Sequence, residues 1–403
     1  MGYKKTEVGV IPEDWEVREV AEFSKIVTGP FGTLLKASEY SQGDGVPQIS
    51  VGEIGDGCFR VNEHTSRIPP HVVKRLPQYL LRAGDIVFGR KGAVDRSAMV
   101  TESEAGWFLG SDGINVRPAQ GHSPYLAAQF SSKPVKTWLL NNAIGTTMPS
   151  LNQSVLGRIR VPFAPQAEQS AIATALSDVD ALLAAQDTLI AKKRAIKQGA
   201  MQELLTGKRR LPGFGGELEV KRLGELAHIR NQKVSTSQVD PETLCVELEN
   251  VGQGSGRLDS RSNAGSAIST KYTFQVGDVL FGRLRSYLRK YWIATESGLC
   301  TTEIWPLATD ERLVPSYLFA LVQTDSFIDA ASVAFGTHMP RADWDVIRNF
   351  EISLPSTEEQ IAISKVMDDM DAEVFAMEAA REKIAELKQG MMQALLTGRI
   401  RLV

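Results

Sequence analysis

The phrase KQGAMQELLTGKRRL at residues 197–211 returns as KQGMMQALLTGRIRL at residues 388–402. The match runs without a gap from Lys197 against Lys388 to Leu211 against Leu402, a spacing of 191 residues. Periods of roughly 20 to 50 residues belong to solenoids, so a spacing this long implies duplication of a whole domain with its appendage. That constraint organises the rest of the chain.

Traced towards the N-terminus at the same spacing, Glu168-Gln169 matches Glu359-Gln360, and Asp178 and Asp180 match Asp369 and Asp371. Gly145-Thr146-Thr147-Met148-Pro149 meets Gly336-Thr337-His338-Met339-Pro340. Further back small insertions intervene. GDIVFGR at residues 84–90 pairs with GDVLFGR at 277–283, EIGDG at Glu53 with NVGQG at Asn250, and WEVREV at Trp15 with LEVKRL at Leu218. Each half is a globular block followed by the same helical segment.

The helical segments have legible ends. Ser356 stands three residues before Glu359 as in a capping box, Pro165 suits a first turn, and Gly207 and Gly398 sit where a left-handed C-terminal residue is wanted. Ile363, Met367, Met370, Val374, Met377, Ile384, Met391 and Leu395 follow three- and four-residue steps, and Ile172, Leu176, Val179, Leu183, Ile190, Ala200 and Leu204 occupy the same slots in the earlier copy. About 40 residues at 1.5 Å each predicts rods of roughly 60 Å. A lone rod would leave its apolar stripe wet, so the two copies are expected to pack on each other. An antiparallel pairing relates the halves by a pseudo-two-fold axis and puts the blocks at opposite ends; a parallel one would crowd them. Lys197 and Lys388 interrupt the seam and would fix its register. The competing reading is a helical hairpin inside a larger core.

Within the blocks, Ile86 to Phe88 and Val279 to Phe281 read as buried strands, and Pro124 to Asn142 and Pro315 to Val333 as helices. The expected class is α+β: two similar strand-rich domains separated by two long helices forming an antiparallel coiled coil. The Gly/Pro loop LPGFGGE, residues 211–217, marks a boundary. A length of 403 residues accommodates two to three domains at about 150 residues each.

The longest apolar stretches fall short of the ~18 residues that span a bilayer, and MGYKKTEVGV has no apolar run after its lysines, so neither membrane span nor signal peptide is expected and the location should be cytoplasmic. Cys58, Cys245 and Cys300 are widely spaced, against a disulfide framework or a CxxC metal site, and no metal site is expected. A G-x-x-x-x-G-K-[ST] loop is missing, VGQGSGRL at Val251 lacks dinucleotide-binding spacing, and no His-Glu-x-x-His pair or nucleophile elbow occurs. Glu219-Val220-Lys221 has the Glu-x-Lys pattern of some nucleases, but Arg18 holds the matching place in the first half, which favours a salt bridge. No catalytic residue is assigned, and elimination leaves a binding protein.

A formal charge of −3 gives no global nucleic-acid signature, so phosphate contacts must come from local clusters. Arg90 and Lys91 follow the first buried strand, and Arg283 and Arg285 the second, with Arg289 and Lys290 extending that cluster. Such cations could neutralise phosphates while polar neighbours reach base edges. Each could equally be a solvated turn. Thr146, Thr147, Thr337 and His338 lie in matched loops before the rods and are candidates for DNA contact or for turning the chain. The basic runs Lys192–Arg194 and Lys208–Arg210 need no more than the helix dipole.

Laid out in halves, the chain resembles from end to end the specificity (S) subunit of type I restriction-modification enzymes. The residues that carry this are the two blocks opening like IPEDWEVREV, the GDIVFGR and GDVLFGR strands, the EEQ-type helix start at Glu358, Glu359 and Gln360, and the closing LLTG phrases. The first copy departs to Gln166-Ala167-Glu168-Gln169. The resemblance implies a target-recognition domain over residues 1–162, a central conserved helical region over 163–211, a second target-recognition domain over 212–354 and a C-terminal conserved region over 355–403. It further implies that each domain reads one half of a bipartite asymmetric DNA site, that the rods act as a ruler, and that two modification (methyltransferase) subunits dock on the repeated phrase. On that implication Leu204, Leu205, Thr206 and Gly207, with Leu395, Leu396, Thr397 and Gly398, are the docking residues. The chain would hold no cofactor, S-adenosylmethionine belonging to the modification subunit, and ATP and Mg²⁺ to a restriction subunit. The alternatives are a coiled-coil scaffold without DNA contact and a nuclease around Glu219 and Lys221.

Overall fold

The computed structural model describes residues 2–41, 43–145, 147–265, 269–333 and 340–402. Packing gathers the chain into two units, residues 1–185 with 381–403, and residues 186–380. Each unit takes one globular block and part of both rods. The rods are single helices, Gln166–Leu205 and Thr357–Leu395.

The first unit is built on an antiparallel sheet in the order Ser24–Thr28, Gly113–Pro118, Ile86–Gly89, Ser97–Met99. The second repeats it with Ala227–Ile229, Ile304–Thr309, Val279–Gly282 and Tyr291–Ile293. Register is preserved: Phe88 faces Ile114, and Phe281 faces Trp305. The strands beginning GD are buried along their whole length, as four-residue apolar runs between polar turns require. Each unit has a further sheet, of three strands in the first and four in the second, with a parallel pair in both: Val46–Ile49 with Phe108–Leu109, and Cys245–Val246 with Gly298–Cys300. The WEVREV and LEVKRL segments form the strands Glu16–Glu19 and Glu219–Arg222. They pair with Arg160–Phe163 and Glu351–Leu354, the last strands before the rods, and so close each block.

The two segments read as single helices are each broken. Ser123–Ser131 and Lys133–Asn142 are separated at Ser132, because Pro134 can open a helix but has no N–H to continue one. Pro315–Leu321 and Asp325–Ser332 are separated where Thr324 Oγ1 accepts the Phe327 N–H and starts a new first turn.

The rods pair with each other, and in each unit they run antiparallel. In the first unit Glu168 meets Arg401 and Asp180 meets Lys388; in the second Lys193 meets Glu373, Lys197 meets Asp371 and Arg210 meets Glu359. Rising numbers on one rod face falling numbers on the other. Every residue of the heptad seam is buried or half-buried, each contributing about 1.5–3 kcal/mol when fully covered. Lys197 and Lys388 end on Asp371 and Asp180, ion pairs equivalent under the repeat.

The glutamate-glutamine pair at each rod start is buried. Gln169 accepts the His122 N–H and donates to the Ala164 carbonyl; Gln360 accepts the Val314 N–H and donates to the Pro355 carbonyl. Each glutamine thus ties the start of its rod to the start of a helix in the block. Ser356 makes only half of a capping box. Its Oγ accepts the Glu359 N–H at 3.4 Å, but the Glu359 carboxylate is turned to Arg210, a stronger partner than a backbone N–H. Gly207 and Gly398 are left-handed at φ +72° and +70°, as the chain reversal requires.

Candidate nucleic-acid interface

The GD dipeptide that opens each buried strand is a structural device. Gly84 and Gly277 are left-handed at φ +88° and +89°. The next residue, Asp85 or Asp278, is buried, and its carboxylate accepts the N–H three residues back, from Arg82 at 2.9 Å and Gln275 at 2.8 Å. Each aspartate also holds an arginine, but from a different place: Arg117 on the neighbouring strand in one unit, Arg230 just after the first sheet strand in the other. Both guanidinium pKa values are raised, chiefly by that hydrogen bond.

The far end of each strand carries an arginine whose backbone is pinned identically. Arg90 donates its N–H to Asp112 O at 2.8 Å and accepts from Leu151 N at 2.8 Å; Arg283 donates to Glu303 O at 2.9 Å and accepts from Ala342 N at 2.8 Å. The Arg90 guanidinium lies over the Phe31 ring, 5.5 Å from its centroid, with one long contact of 3.4 Å to the Ser111 carbonyl. It borders a cleft of about 550 Å³ with Thr28, Tyr79, Asn152 and Gln153. The Arg283 guanidinium lies over Trp305, 5.4 Å from the centroid. Its Nε is buried and meets no acceptor among the described residues.

The other candidates separate into groups. Lys91 ion-pairs with Asp112 at 3.4 Å and stays half exposed. Arg285 is exposed in the left-handed region at φ +51°, its N–H donating to the Pro340 carbonyl, and its side chain has no partner among the described residues. Thr147 is exposed. Thr146, Thr337 and His338 lie outside the described residues.

Arg289 and Lys290 are both engaged within their own unit. Arg289, left-handed at φ +52°, donates to the Gln323 carbonyl at 3.1 Å and pairs with Asp325; Lys290 Nζ donates to the Leu248 carbonyl at 2.6 Å. Asp325 is held below its ordinary pKa first by the Arg289 hydrogen bond. These residues fasten loops rather than offer free charge.

A correction concerns the LLTG phrase as a docking surface. Leu204 and Leu205 belong to the core of the second unit, and Leu395 and Leu396 to that of the first. Thr206 and Thr397 turn back on the rods, donating to the Gln202 and Gln393 carbonyls. A Cβ on Gly207 would stand 2.0 Å from Leu218, and one on Gly398 2.5 Å from Pro12, so both glycines are close-packed turns. Thr206 is exposed and Gly207 and Thr397 half-buried, while Gly398 is buried. Each unit thus ends its rod the same way against its own core.

Sequence reasoning missed Phe31, which has no counterpart in the second half, and the carboxylate partners of Arg210 and Arg401. The repetition of those arginines at the spacing of Glu168 and Glu359 was the available signal. At the alternative nuclease site, Lys221 Nζ lies 3.2 Å from Glu219 Oε2 on an edge strand, an ordinary surface pair. No cluster of three or more metal-ligating side chains occurs among the described residues. Cys245 and Cys300 are buried free thiols whose pKa values burial raises.

The fold and site therefore define an internally duplicated chain with an arginine at the end of the equivalent buried strand in each unit, in unlike surroundings. It belongs to the family described as the type I restriction modification DNA specificity domain, whose model matches residues 12–192 and again 216–389. The MjaVIII specificity subunit of a type I restriction enzyme from Methanocaldococcus jannaschii is 23% identical over 420 residues, covering 97% of this chain and 94% of that one. The EcoDI specificity subunit of Escherichia coli is 20% identical over 441 residues, covering 97% and 90%. In fold the chain is similar to an S subunit of a type I restriction-modification system from M. genitalium, with TM-score 0.56 and 13% identity over 96% of each chain. It is also similar to a chain from a structure addressing complex assembly and conformational transition of the type I R-M system, with TM-score 0.61 and 15% identity over 97% and 99% of the two chains. No helix among the described residues is long and apolar enough to cross a membrane.

Proposed function

We propose that this chain is the non-catalytic, sequence-reading subunit of a cytoplasmic type I restriction-modification complex. Each globular block reads one half of a bipartite, asymmetric site in double-stranded DNA, and the rods set the spacer and dock two methyltransferase subunits. S-adenosylmethionine belongs to those subunits, and ATP and Mg²⁺ to a restriction subunit where one joins.

The observation that carries this reading is the repetition of one frame with unlike linings. Where Asn152 and Gln153 follow the pinned Arg90, Asp343 and Trp344 hold the equivalent places near Arg283. An amide carries both a donor and an acceptor, a carboxylate only acceptors and an indole only a donor, so two such faces suit two different half-sites. The docking face is proposed on the exposed rod surfaces around Thr206 and Thr397 rather than on the buried leucines.

Methylome sequencing of cells expressing the chain with its cognate methyltransferase tests the reading. The expected result is one bipartite motif with unlike halves. A salt titration of DNA binding by the assembled complex should show the steep loss of affinity that phosphate contacts impose; a flat response would favour a scaffold that never touches DNA.

A further inference from the structure

We infer that Arg90 and Arg283 are paired guanine readers, one in each half-site, each guanidinium backed by an aromatic ring. The inference rests on the proposed DNA-reading function and deepens it by naming the specificity-determining side chains and the base they take.

Four observations converge. The two arginines occupy equivalent places, each at the end of the buried strand of its unit, with backbone N–H and carbonyl fixed by matching bonds. Each guanidinium lies over an aromatic ring at nearly the same distance, 5.5 Å in one unit and 5.4 Å in the other. The rings come from different parts of the two blocks. Phe31 lies in the loop after Ser24–Thr28, whereas Trp305 lies on the strand Ile304–Thr309, whose counterpart in the first unit places Ile114 there. Two halves that diverged elsewhere have thus met the same requirement by separate means.

The fourth observation is that neighbouring carboxylates do not consume these donors. Asp112 is paired with Lys91, and Glu303 accepts Arg341 in a fork at 2.9 Å to each oxygen. Arg90 keeps only its long contact to the Ser111 carbonyl, and Arg283 has none among the described residues.

Chemistry favours guanine over phosphate as the acceptor. A guanidinium is planar and presents a fixed fork of N–H donors. Guanine O6 and N7 form the matching planar pair of acceptors in the major groove. A phosphate makes no such demand on the plane, and the exposed cations Lys91 and Arg285 already suit that contact. Gln153 and Asn152 are the polar neighbours of Arg90, but Gln153 donates to Thr28 Oγ1 and Asn152 caps the Val155 N–H. Only the arginine is common to both units.

The test is methylome sequencing of the complete complex carrying Arg90→Lys or Arg283→Lys, which keep the charge and lose the fork. Each lysine variant should make a single guanine-bearing position of one half-site degenerate, reducing its preference roughly 5- to 150-fold, with the other half unchanged. Phe31→Leu, at a ring that is 58% exposed and so not needed for the core, should weaken the same position as Arg90→Lys, less severely. An unchanged motif, or uniform weakening at all positions as for a phosphate contact, would overturn the assignment. So would a wild-type half-site with no fixed guanine, or a lysine variant that fails to assemble and so marks the arginine as a folding element. A wild-type complex without any motif overturns the underlying function instead, which keeps the two failures distinct.

Discussion

Lys197 Nζ lies 2.5 Å from Asp371 Oδ1 across the rods of the second unit, and the repeat places the same pair, Lys388 and Asp180, at 2.5 Å in the first. Polar residues in a heptad seam specify register at some cost in stability. The Lys197 pair is the better covered, at 13% and 36% side-chain exposure against 25% and 55%. A double-mutant cycle with Lys197→Met and Asp371→Asn should return about 0.5–1 kcal/mol of coupling, and the Lys388 and Asp180 cycle less. Equal or reversed couplings from urea denaturation would contradict this ranking.

Arg401 donates to both oxygens of Glu168, at 2.6 and 2.8 Å, and that carboxylate is fully buried. Arg401→Met leaves a buried charge without its main partner and should destabilise the protein by about 3 kcal/mol. Pairing it with Glu168→Met should restore only part of the loss, because Trp15 Nε1, 2.9 Å from Glu168, then has no acceptor. In the second unit no tryptophan stands there, so Arg210→Met with Glu359→Met should recover more fully. Thermal denaturation of these three variants and of Arg210→Met alone reads the difference directly.

Glu303 has its pKa lowered from 4.5, first by the Arg341 hydrogen bond, against the opposing effect of burial. A depressed carboxylate contributes stability that is complete above its unfolded pKa and lost as pH falls through the folded one. Stability should therefore hold above about pH 4.5 and decline below it. In Arg341→Met this part of the decline disappears, so wild type and variant should differ near pH 6 and converge in acid, measured by urea unfolding at each pH.

What the sequence revealed follows from the range of each interaction. The rods, their seam and the glycines that end them are written in local periodicity and repeated at fixed spacing, so the periodicity alone places the seam residues from Ile363 to Leu395 on one face. Buried strands such as Val279–Gly282 were legible for the same reason. The break at Thr324 falls in the polar run Gln323-Thr324-Asp325-Ser326, which a solvated helix turn would also tolerate, and the capping hydroxyl is what starts the new helix. Glu168 and Arg401 are 233 residues apart, and no local pattern encodes their contact. Leu205 and Leu396, next to the seam residues Leu204 and Leu395, are buried with them, because a shared core needs repetition as much as a shared partner does. Phe31 left no trace because its half solved the stacking problem alone.

The division between the units falls within both rods, after Ala185 and after Ala380. A heptad inserted at both points keeps the seam in phase, since seven residues turn a helix through nearly two full turns, and the ion pairs on either side persist. It lengthens each rod by about 10 Å, close to three base pairs of duplex at 3.4 Å each. The methylated motif should therefore keep its bases in both halves and accept a spacer longer by about three base pairs. Five residues inserted at the same points put the seam out of phase by about 140° across the insertion, and this variant should lose methylation of the wild-type motif. Altered bases with an unchanged spacer in the heptad variant would show that the rods do not measure distance, and the ruler role would have to be abandoned.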